Sequence, residues 1–223
     1  PKPLTAPLVL ATTHQMYRYE RAFDAIYVDE ADAFPFSTDE TLRRATEKAA
    51  KKGAPIHFIT ATATNEMKRQ YASIGHVTTI ARRYHGYDLP VPTFRRAFGY
   101  ARDIRKRKLH RAITHWIERQ MERQKPYLLF CPSIEQMEAL LPLVQRIDPN
   151  VRAVSSETPT RKEDVLALRN GKVQGLLTTT ILERGITIPS LQVAVIGAEQ
   201  PIFTKEALIQ IGGRVGRSAD DPV

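Results

Sequence analysis

The sequence of 223 residues has a single cysteine, Cys131, and no apolar stretch approaching the ~18 residues of a membrane span. One cysteine excludes an internal disulfide and a cysteine-rich metal site, so we expect no zinc in this chain and a reducing compartment. No signal-peptide pattern opens the sequence. The 42% of hydrophobic residues exclude a disordered tail and suit one large domain or two of roughly 100 residues each.

The net charge of +9 is confined to one central segment. Residues 82–125, the basic segment, hold 13 Lys or Arg and 4 Asp or Glu, whereas the rest of the chain holds 20 of each sign. Such a patch attracts phosphate backbones, and interleaved aromatic rings offer faces for base stacking. A solvated surface with aromatics packed at a domain boundary is the alternative. The aromatics concerned are Tyr84, Tyr87, Phe94, Phe98 and Tyr100.

Short apolar runs alternate with longer segments of helical periodicity, which predicts parallel sheets covered by helices on both faces. The predicted strands are residues 7–12, 25–28, 56–60, 127–131, 151–154, 175–179 and 193–198. Several helices are predicted to start at a capping box, a Ser or Thr followed three residues later by Glu or Gln. The pairs are Ser37 with Glu40, Ser133 with Gln136, and Thr160 with Glu163.

The alternation is interrupted between about residues 81 and 102, where we expect a boundary between two α/β domains, residues 1–90 and 91–223. Neither domain is expected to be complete, and the chain is expected to be part of a longer protein. Trp116 lies on the apolar face of a predicted helix and is interpreted as core. His57 and His76 are interpreted as core or surface residues rather than ligands, and Cys131 as a small hydrophobe.

Two carboxylates, Asp29 and Glu30, directly follow an apolar predicted strand. In open α/β sheets ligands bind beyond the carboxyl ends of the strands, where an Asp can hold magnesium beside a phosphate chain and a Glu can orient water. Acidic residues that only begin a loop are the alternative. Thr60 and Thr62 follow the next strand, where their hydroxyls could hydrogen-bond a neighbouring carboxylate, although Thr is common at strand ends.

Two later segments carry hydroxyl and arginine side chains. The hydroxyls of residues 178–180 follow a predicted strand and precede Glu-Arg-Gly at 183–185, where they could grip a nucleic-acid phosphate. Residues 210–217 contain three glycines and two arginines. If they are helical, Gln210, Arg214 and Arg217 share one face, the glycines allow another backbone to approach closely, and the arginines suit phosphate binding. An exposed Gly-rich turn is the alternative.

These segments together resemble a known family. DEAD at 29–32, TAT at 60–62, TTT with ERG at 178–185 and QIGGRVGR at 210–217 resemble, in this order, motifs II, III, V and VI of superfamily 2 helicases. Residues 13–15 resemble the upstream nucleic-acid-contacting motif, and residues 130–133 resemble motif IV. The sequences that flank these motifs are similar to those of the bacterial competence helicases. The resemblance implies two RecA-like parallel-sheet domains, the first incomplete at its N-terminal side, with ATP between them.

The resemblance also implies a role for each matching residue. Asp29 and Glu30 would hold the Mg²⁺ of bound ATP, and Glu30 would also activate water. Arg214 and Arg217 would reach the γ-phosphate. These four residues form the expected catalytic group. Asp32, Thr60 and Thr62 would couple the ATP site to DNA. The nucleotide-binding residues would be Gln210, Gly185, Arg214 and Arg217, and the nucleic-acid-binding residues would be Thr13, His14, Ser133, Thr179 and Thr180.

The implied activity is that of an ATP-dependent DNA helicase or translocase that drives uptake of single-stranded DNA in natural competence. The expected partners are single-stranded DNA and other DNA-uptake proteins at the membrane, and the expected location is the cytoplasm or the inner membrane face. A replication-restart or recombination translocase on branched duplex DNA, and a nucleic-acid-binding module without ATPase activity, are the alternatives.

The sequence departs from the family at three points, one of which is the absence of the family's cysteine-rich zinc segment. A phosphate loop ending in Gly-Lys-Ser/Thr is missing, because Gly171 and Lys172 are followed by Val173. We expect that loop upstream of Pro1 in the longer protein, and we expect this chain alone to hydrolyse ATP poorly. Thr187 stands where many DEAD-box enzymes have an Asp, which weakens the interpretation as an RNA helicase of that type.

Overall fold

A computed structural model of the chain describes residues 6–73, 75–80, 83, 86–182 and 187–217. The chain divides into two compact units, unit 1 within Pro1–Thr78 and unit 2 within Thr79–Val223. Each unit has its own parallel sheet and its own apolar core. Within the described ranges, no helix has both the length and the apolar composition needed to cross a membrane.

Unit 1 is built on two short parallel strands, β1 (Ile26–Val28) and β2 (Ile56–Phe58), with Ile26 opposite Ile56. Helix α1 (Glu40–Ala49) connects the strands, and α2 (Asn65–Ala72) follows β2. The apolar face of α1 contributes to two core clusters of unit 1. Leu42 packs with the strand residues, whereas Ala45 and Ala49 pack against Met16 of a 3-10 helix at Thr13–Arg18.

Two predictions for unit 1 are wrong. Residues 7–12 form no strand, and Leu8 and Leu10 are exposed. Pro7 lacks a backbone donor, and the segment leads into the 3-10 helix instead, where the Thr12 N–H donates to Gln15 Oε1 at 3.1 Å. Helix α1 is capped by Asp39 rather than by Ser37.

The Asp39 carboxylate accepts hydrogen bonds from two backbone N–H groups in the first turn of α1, at 2.9 and 3.4 Å. It also accepts a bond from the Thr41 hydroxyl at 2.6 Å. That side-chain bond is the largest cause of a lowered pKa at Asp39, because it favours the charged form. A carboxylate one residue before the helix therefore serves as the cap that the sequence pattern assigned to Ser37.

Unit 2 contains a four-stranded parallel sheet in the order β4-β5-β3-β6. Every residue of the two central strands is buried, as expected for strands covered on both faces. The strands are β3 (Tyr127–Phe130), β4 (Arg152–Val154), β5 (Gly175–Thr178) and β6 (Gln192–Val195). The predicted parallel α/β class is therefore confirmed, and these strands lie within two or three residues of their predicted bounds.

Helices cover both faces of this sheet. Alternate residues of β3 point to opposite sides, so Leu128 and Phe130 join one core cluster, whereas Tyr127 and Leu129 join the other. Helices α6 (Arg161–Arg169) and α7 (Lys205–Gly212) pack into the first cluster. The second cluster receives α3 (Tyr100–Arg105), α4 (Arg111–Glu122) and α5 (Ile134–Val144).

Local expectations for unit 2 are met in part. Ser133 caps α5, and its Oγ accepts from the Gln136 N–H at 3.1 Å, as predicted. Thr160 precedes α6, but its hydroxyl donates to the buried Asp164 at 2.8 Å instead of capping the backbone. Trp116 packs into the core and meets the ring of Tyr127 edge-on at 5.7 Å, which confirms its interpretation as core.

The histidines and the cysteine interpreted as ordinary residues have ordinary surroundings. His57 lies on the exposed face of the unit 1 sheet and stacks on Tyr27 with 4.6 Å between ring centroids. His76 is exposed. Cys131 is fully buried, and burial raises the pKa of its thiol to about 12, so the thiol stays protonated at neutral pH.

The core of unit 2 contains a buried polar pair, Tyr127 and Asp148. The Tyr127 hydroxyl donates to Asp148 Oδ2 at 2.9 Å, and the other carboxylate oxygen accepts the Asn150 N–H at 3.1 Å. Gly175 leaves room for the tyrosine ring, because a Cβ at that position would overlap it. Burial, followed by the charge of Asp148, raises the pKa of Tyr127 far above its usual value.

We predict that Tyr127→Phe lowers the free energy of unfolding by about 1–3 kcal/mol, because it leaves a buried carboxylate oxygen unsatisfied. Urea unfolding of the variant measures this change. The difference from wild type should shrink above about pH 10, because the unfolded tyrosine then ionises while the folded one stays protonated. The exposed Tyr27→Phe is the control, with an expected change below about 0.5 kcal/mol. Equal stability of Tyr127→Phe and wild type would contradict this account.

Candidate active site

The two predicted catalytic carboxylates lie directly beyond β1. Asp29 and Glu30 are both exposed, and the Glu30 N–H donates to Asp29 Oδ1 at 2.9 Å. Glu30 has a φ of 50°, a left-handed conformation that costs a non-glycine residue about 1–3 kcal/mol. The turn is fastened to β2 by the Ala31 N–H, which donates to the Ile59 carbonyl at 3.0 Å. The strained turn thus follows immediately on a fixed strand end.

Asp32 lies in the same turn and bonds to both threonines of the next strand end. The Thr60 hydroxyl donates to Asp32 Oδ1 at 2.6 Å, and the Thr62 hydroxyl donates to Asp32 Oδ2 at 2.6 Å. The Thr62 N–H also donates to Thr60 Oγ1 at 3.0 Å. The hydrogen bonding expected from the sequence is therefore present, and both oxygens of one carboxylate are held by a segment 28 to 30 residues away.

The carboxylates of this turn suit a magnesium ion that arrives with a phosphate chain. Mg²⁺ in nucleotide sites is held by one or two protein carboxylates, with substrate phosphates and water as the remaining ligands. Asp29 is exposed at the strand end, and its second carboxylate oxygen, Oδ2, is not the atom that accepts the Glu30 N–H. Among the described residues, no group of three or more His, Cys, Asp or Glu could hold a metal ion by itself.

Thr13 and His14 begin the 3-10 helix of unit 1. That helix lies against α1, and the Tyr17 hydroxyl is 2.7 Å from Thr41 Oγ1 in the first turn of α1. Because α1 begins after the loop that leaves the carboxyl end of β1, its first turn lies on that side of the sheet. Thr13 and His14 are thereby on the side of unit 1 that carries Asp29.

The hydroxyl residues of unit 2 follow two adjacent strands. Ser133 comes after β3, and Thr179 and Thr180 come after β5, at the carboxyl edge of the sheet. The Cys131 N–H donates to the Thr178 carbonyl at 2.7 Å, which ties the two strand ends together. Ser133 is exposed, and its hydroxyl, although it accepts the helix cap bond, still has a proton to donate.

The segment with the two arginines differs from the predicted continuous helix. Helix α7 ends at Gly212, and Gly213 is its C-terminal cap, so Arg214 and Arg217 lie beyond it. The condition for a shared helical face with Gln210, a helix that continues to Arg217, is therefore not met. Nor does another segment approach Gly212, because a Cβ there would meet nothing within 4 Å in the described structure. Arg214 is only 4% exposed, whereas Arg217 is half-buried.

Arg217 folds back onto the chain and is held at two points. Its Nε donates to the Gly213 carbonyl at 2.9 Å, and its Nη1 donates to Thr187 Oγ1 at 3.0 Å. Sequence reasoning noted Thr187 only as a departure from the family pattern. The structure shows that this departure places a neutral acceptor, not a carboxylate, beside the arginine.

Arg83 is a neighbour of Arg217 that the sequence analysis missed. Its Nη1 donates to the carbonyl of Gly216, which has a φ of 63°. The pKa of Arg83 is lowered first by burial and then by the positive charge of Arg217. Arg83 belongs to no motif, and only its position in the basic segment could have drawn attention to it.

The basic segment is mostly solvent-exposed. Its basic side chains on and around α3 and α4 are exposed, and Phe94 and Phe98 are 81% and 82% exposed. Tyr100 differs from the expected stacking residues, because it packs in the core cluster and its hydroxyl accepts a hydrogen bond from Gln200 at 3.3 Å. Tyr84, Glu183, Arg184 and Gly185 lie outside the described residues.

Each unit therefore brings together its own part of the predicted site. Unit 1 gathers Asp29, Glu30 and Asp32 with Thr60 and Thr62 at the ends of β1 and β2. In unit 2 the hydroxyl residues share the carboxyl edge of the sheet, and the arginines lie in the turn after α7.

Comparison with known proteins gives relatives over nearly the whole chain. The chain is 39% identical to Competence protein ComFA of Bacillus subtilis (strain 168) over 213 residues, 95% of this chain and 46% of that protein. It is 40% identical to Competence protein ComFA of Streptococcus pneumoniae (strain ATCC BAA-255 / R6) over 220 residues, 97% of this chain and 51% of that protein. The chain thus spans about half the length of these relatives.

Solved structures and a family match agree with these relatives. S. cerevisiae Dbp5 bound to RNA and ADP BeF3 superimposes with a TM-score of 0.64 at 17% identity, over 93% of this chain and 54% of that one. Mycobacterium smegmatis helicase Lhr bound to ssDNA and AMP-PNP gives 0.56 at 17% identity, over 94% and 28%. Residues 106–219 match the helicase conserved C-terminal domain. Taken together with the motifs, the chain belongs to the superfamily 2 helicases, in the family defined by that domain.

Proposed function

We propose that the protein is an ATP-dependent DNA translocase that moves single-stranded DNA during natural competence. The observation that carries this proposal is the strand-end arrangement of unit 1. There Asp29 and Glu30 are exposed beyond β1, while Asp32 is fastened to both threonines beyond β2. Similarity to Competence protein ComFA over 95% and 97% of the chain supports DNA uptake as the process.

The carboxylates of unit 1 suit the hydrolysis step. Asp29 would hold the Mg²⁺ that accompanies ATP, and that ion neutralises charge on the phosphates when it is bound. Glu30 would orient the attacking water and accept its proton. The Glu30 N–H holds one oxygen of the Asp29 carboxylate, and the backbone of Glu30 is left-handed. The two adjacent carboxylates would therefore have separate roles.

The arginines and Gln210 of unit 2 suit the other side of the nucleotide. Arg214 and Arg217 would stabilise charge on the γ-phosphate, as arginines do in phosphoryl transfer, and Gln210 and Gly185 would contact the nucleotide. Arg217 is already oriented by bonds to Gly213 and Thr187. An arginine held in this way loses little side-chain entropy when a phosphate arrives.

The hydroxyl residues at the carboxyl edges suit a nucleic-acid backbone. Small hydroxyls and backbone amides bind phosphates without reading sequence, as a translocase requires. The residues proposed for this role are Thr13, His14, Ser133, Thr179 and Thr180. The basic segment would add non-specific electrostatic affinity. We further propose that the protein works in the cytoplasm, at the inner face of the membrane, with other DNA-uptake proteins.

We predict that Glu30→Gln in the full-length protein lowers ATP turnover roughly 100-fold or more, because the amide cannot accept a proton from water. Binding of ATP should be retained. Steady-state turnover with single-stranded DNA and equilibrium binding of a fluorescent ATP analogue measure the two effects. Glu20→Gln, an exposed glutamate away from the strand ends, is the matched control. Turnover within a few-fold of wild type for Glu30→Gln would exclude Glu30 as the base.

We predict that Thr60→Val with Thr62→Val separates ATP turnover from movement, because valine keeps the shape of threonine but cannot donate to Asp32. Translocation should fall about 5-fold or more relative to ATP turnover, the size of a typical coupling energy between sites. Displacement of streptavidin from biotinylated single-stranded DNA measures movement. Thr160→Val is the control, since it removes a similar threonine–aspartate bond in unit 2. A parallel fall of both activities would reject a coupling role.

We predict that reversing the exposed charges at Arg105, Arg107 and Lys108 to Glu weakens binding of single-stranded DNA. The slope of log K against log salt should shrink by about 0.7 for each lost phosphate contact. Fluorescence anisotropy at several salt concentrations measures both quantities. The control reverses three exposed charges outside the basic segment, at Lys162, Arg169 and Lys172. Equal affinity and slope for the test variant and wild type would mean that the segment is only solvated surface.

A further inference from the structure

Arg83 has an unmet hydrogen-bonding requirement beside the turn that follows α7. Its Nη1 donates to the Gly216 carbonyl, but its Nη2 is buried and has no hydrogen-bond partner in the part of the chain that the structure describes. A buried nitrogen of a charged guanidinium costs more when unsatisfied than a neutral group does. The position therefore has a donor in place before any acceptor is bound.

A second guanidinium, that of Arg217, lies near Arg83. Arg217 is close enough for its charge to act on Arg83, and no salt bridge to Arg83 is found among the described residues. Arg217 is held near this position by bonds to Gly213 and Thr187. A phosphate bound by both guanidinium groups would offset their mutual repulsion.

A phosphate oxyanion fits this arrangement better than a carboxylate does. It carries more charge and presents several acceptor oxygens, so two guanidinium groups can donate to it from different directions. The carbonyl of Gly216 holds one end of the Arg83 guanidinium, which leaves the Nη2 end for the ligand. The glycine is needed there, because its φ of 63° turns that carbonyl in a backbone conformation that other residues adopt at a cost.

We propose that Arg83 is a second phosphate-binding arginine, which binds the same phosphate as Arg217 through its buried Nη2. This inference rests on the proposed function, in which Arg217 contacts the terminal phosphate of ATP. It places a residue outside every motif in contact with that ligand. The shared chemistry is a phosphate oxyanion, whose source is the terminal phosphate of the nucleotide or the backbone of single-stranded DNA.

The test compares Arg83→Gln and Arg83→Lys with wild type in the full-length protein. Binding of inorganic phosphate, of ADP, of a non-hydrolysable ATP analogue and of a thymidine oligonucleotide is measured by calorimetry. We expect Arg83→Gln to weaken binding of inorganic phosphate about tenfold or more, as for loss of a charge-assisted hydrogen bond. Lysine should restore part of the affinity, because it keeps the charge but not the planar donor pair.

The ligand arms identify the source of the phosphate. Weaker binding of the ATP analogue with unchanged binding of ADP assigns Arg83 to the terminal phosphate. Weaker binding of the oligonucleotide alone assigns it to the DNA backbone. Arg169→Gln removes one exposed positive charge from α6 and should change none of these affinities. Its result separates a local effect from a change in net charge.

A purely structural role for Arg83 predicts a different result. If Arg83 only clamps Gly216, Arg83→Gln lowers the melting temperature and leaves all four affinities of the folded protein as they were, and this result would overturn the proposal. The binding of inorganic phosphate also tests Arg83 independently of the proposed ATPase activity. A wild-type protein that binds inorganic phosphate through Arg83 but does not hydrolyse ATP would refute the ATPase and retain the anion site.

Discussion

Parallel pairing of strands is the constraint on which the functional part of the molecule depends. Because all strands of a parallel sheet run the same way, every loop that leaves a strand emerges at one edge. In unit 1 this brings Asp32 and the threonines at 60 and 62 within hydrogen-bonding distance although about 30 residues separate them. In unit 2 it sets Ser133 beside the loop after β5, since β3 and β5 are neighbours in the sheet. The topology of the parallel sheets thus determines where these candidate site residues lie.

The strands of unit 2 were predictable because their burial leaves a strong signal in the sequence. Residues 127–130 and 175–178 are apolar throughout or nearly so, which is typical of strands covered on both faces, and both were located within one residue. Residues 7–12 carry a similar apolar signal but form no strand in unit 1. An apolar run shows that a segment is fit to be buried. It does not show that a partner strand is available, because pairing is a property of the fold.

Some contacts of the candidate site were predictable from the sequence and others were not, because the latter depend on how distant segments pack. Hydrogen bonds from the strand-end threonines to a neighbouring carboxylate were expected from the order of the strands, and the structure identifies that carboxylate as Asp32. The fixation of Arg217 by Thr187 and its proximity to Arg83 depend on how the chain turns after Gly212, where a helix was expected and a cap was found. Two consecutive glycines weaken a helix by about 1 kcal/mol each relative to alanine. That cost makes an early end reasonable, but the direction of the following turn is set by tertiary contacts.

The end of α7 at Gly212 has a consequence for how the arginines can act. On a continuous helix, Arg217 would project as a long, mobile side chain and would lose rotamer freedom on binding a phosphate. In the observed turn its Nε and Nη1 are bonded to Gly213 and Thr187, so that loss is incurred during folding. The Thr187 hydroxyl accepts this hydrogen bond without placing a negative charge beside the guanidinium, which in the proposed function contacts a phosphate. Thr187, at the position where many DEAD-box enzymes have an Asp, therefore orients the arginine through a hydrogen bond to a neutral group.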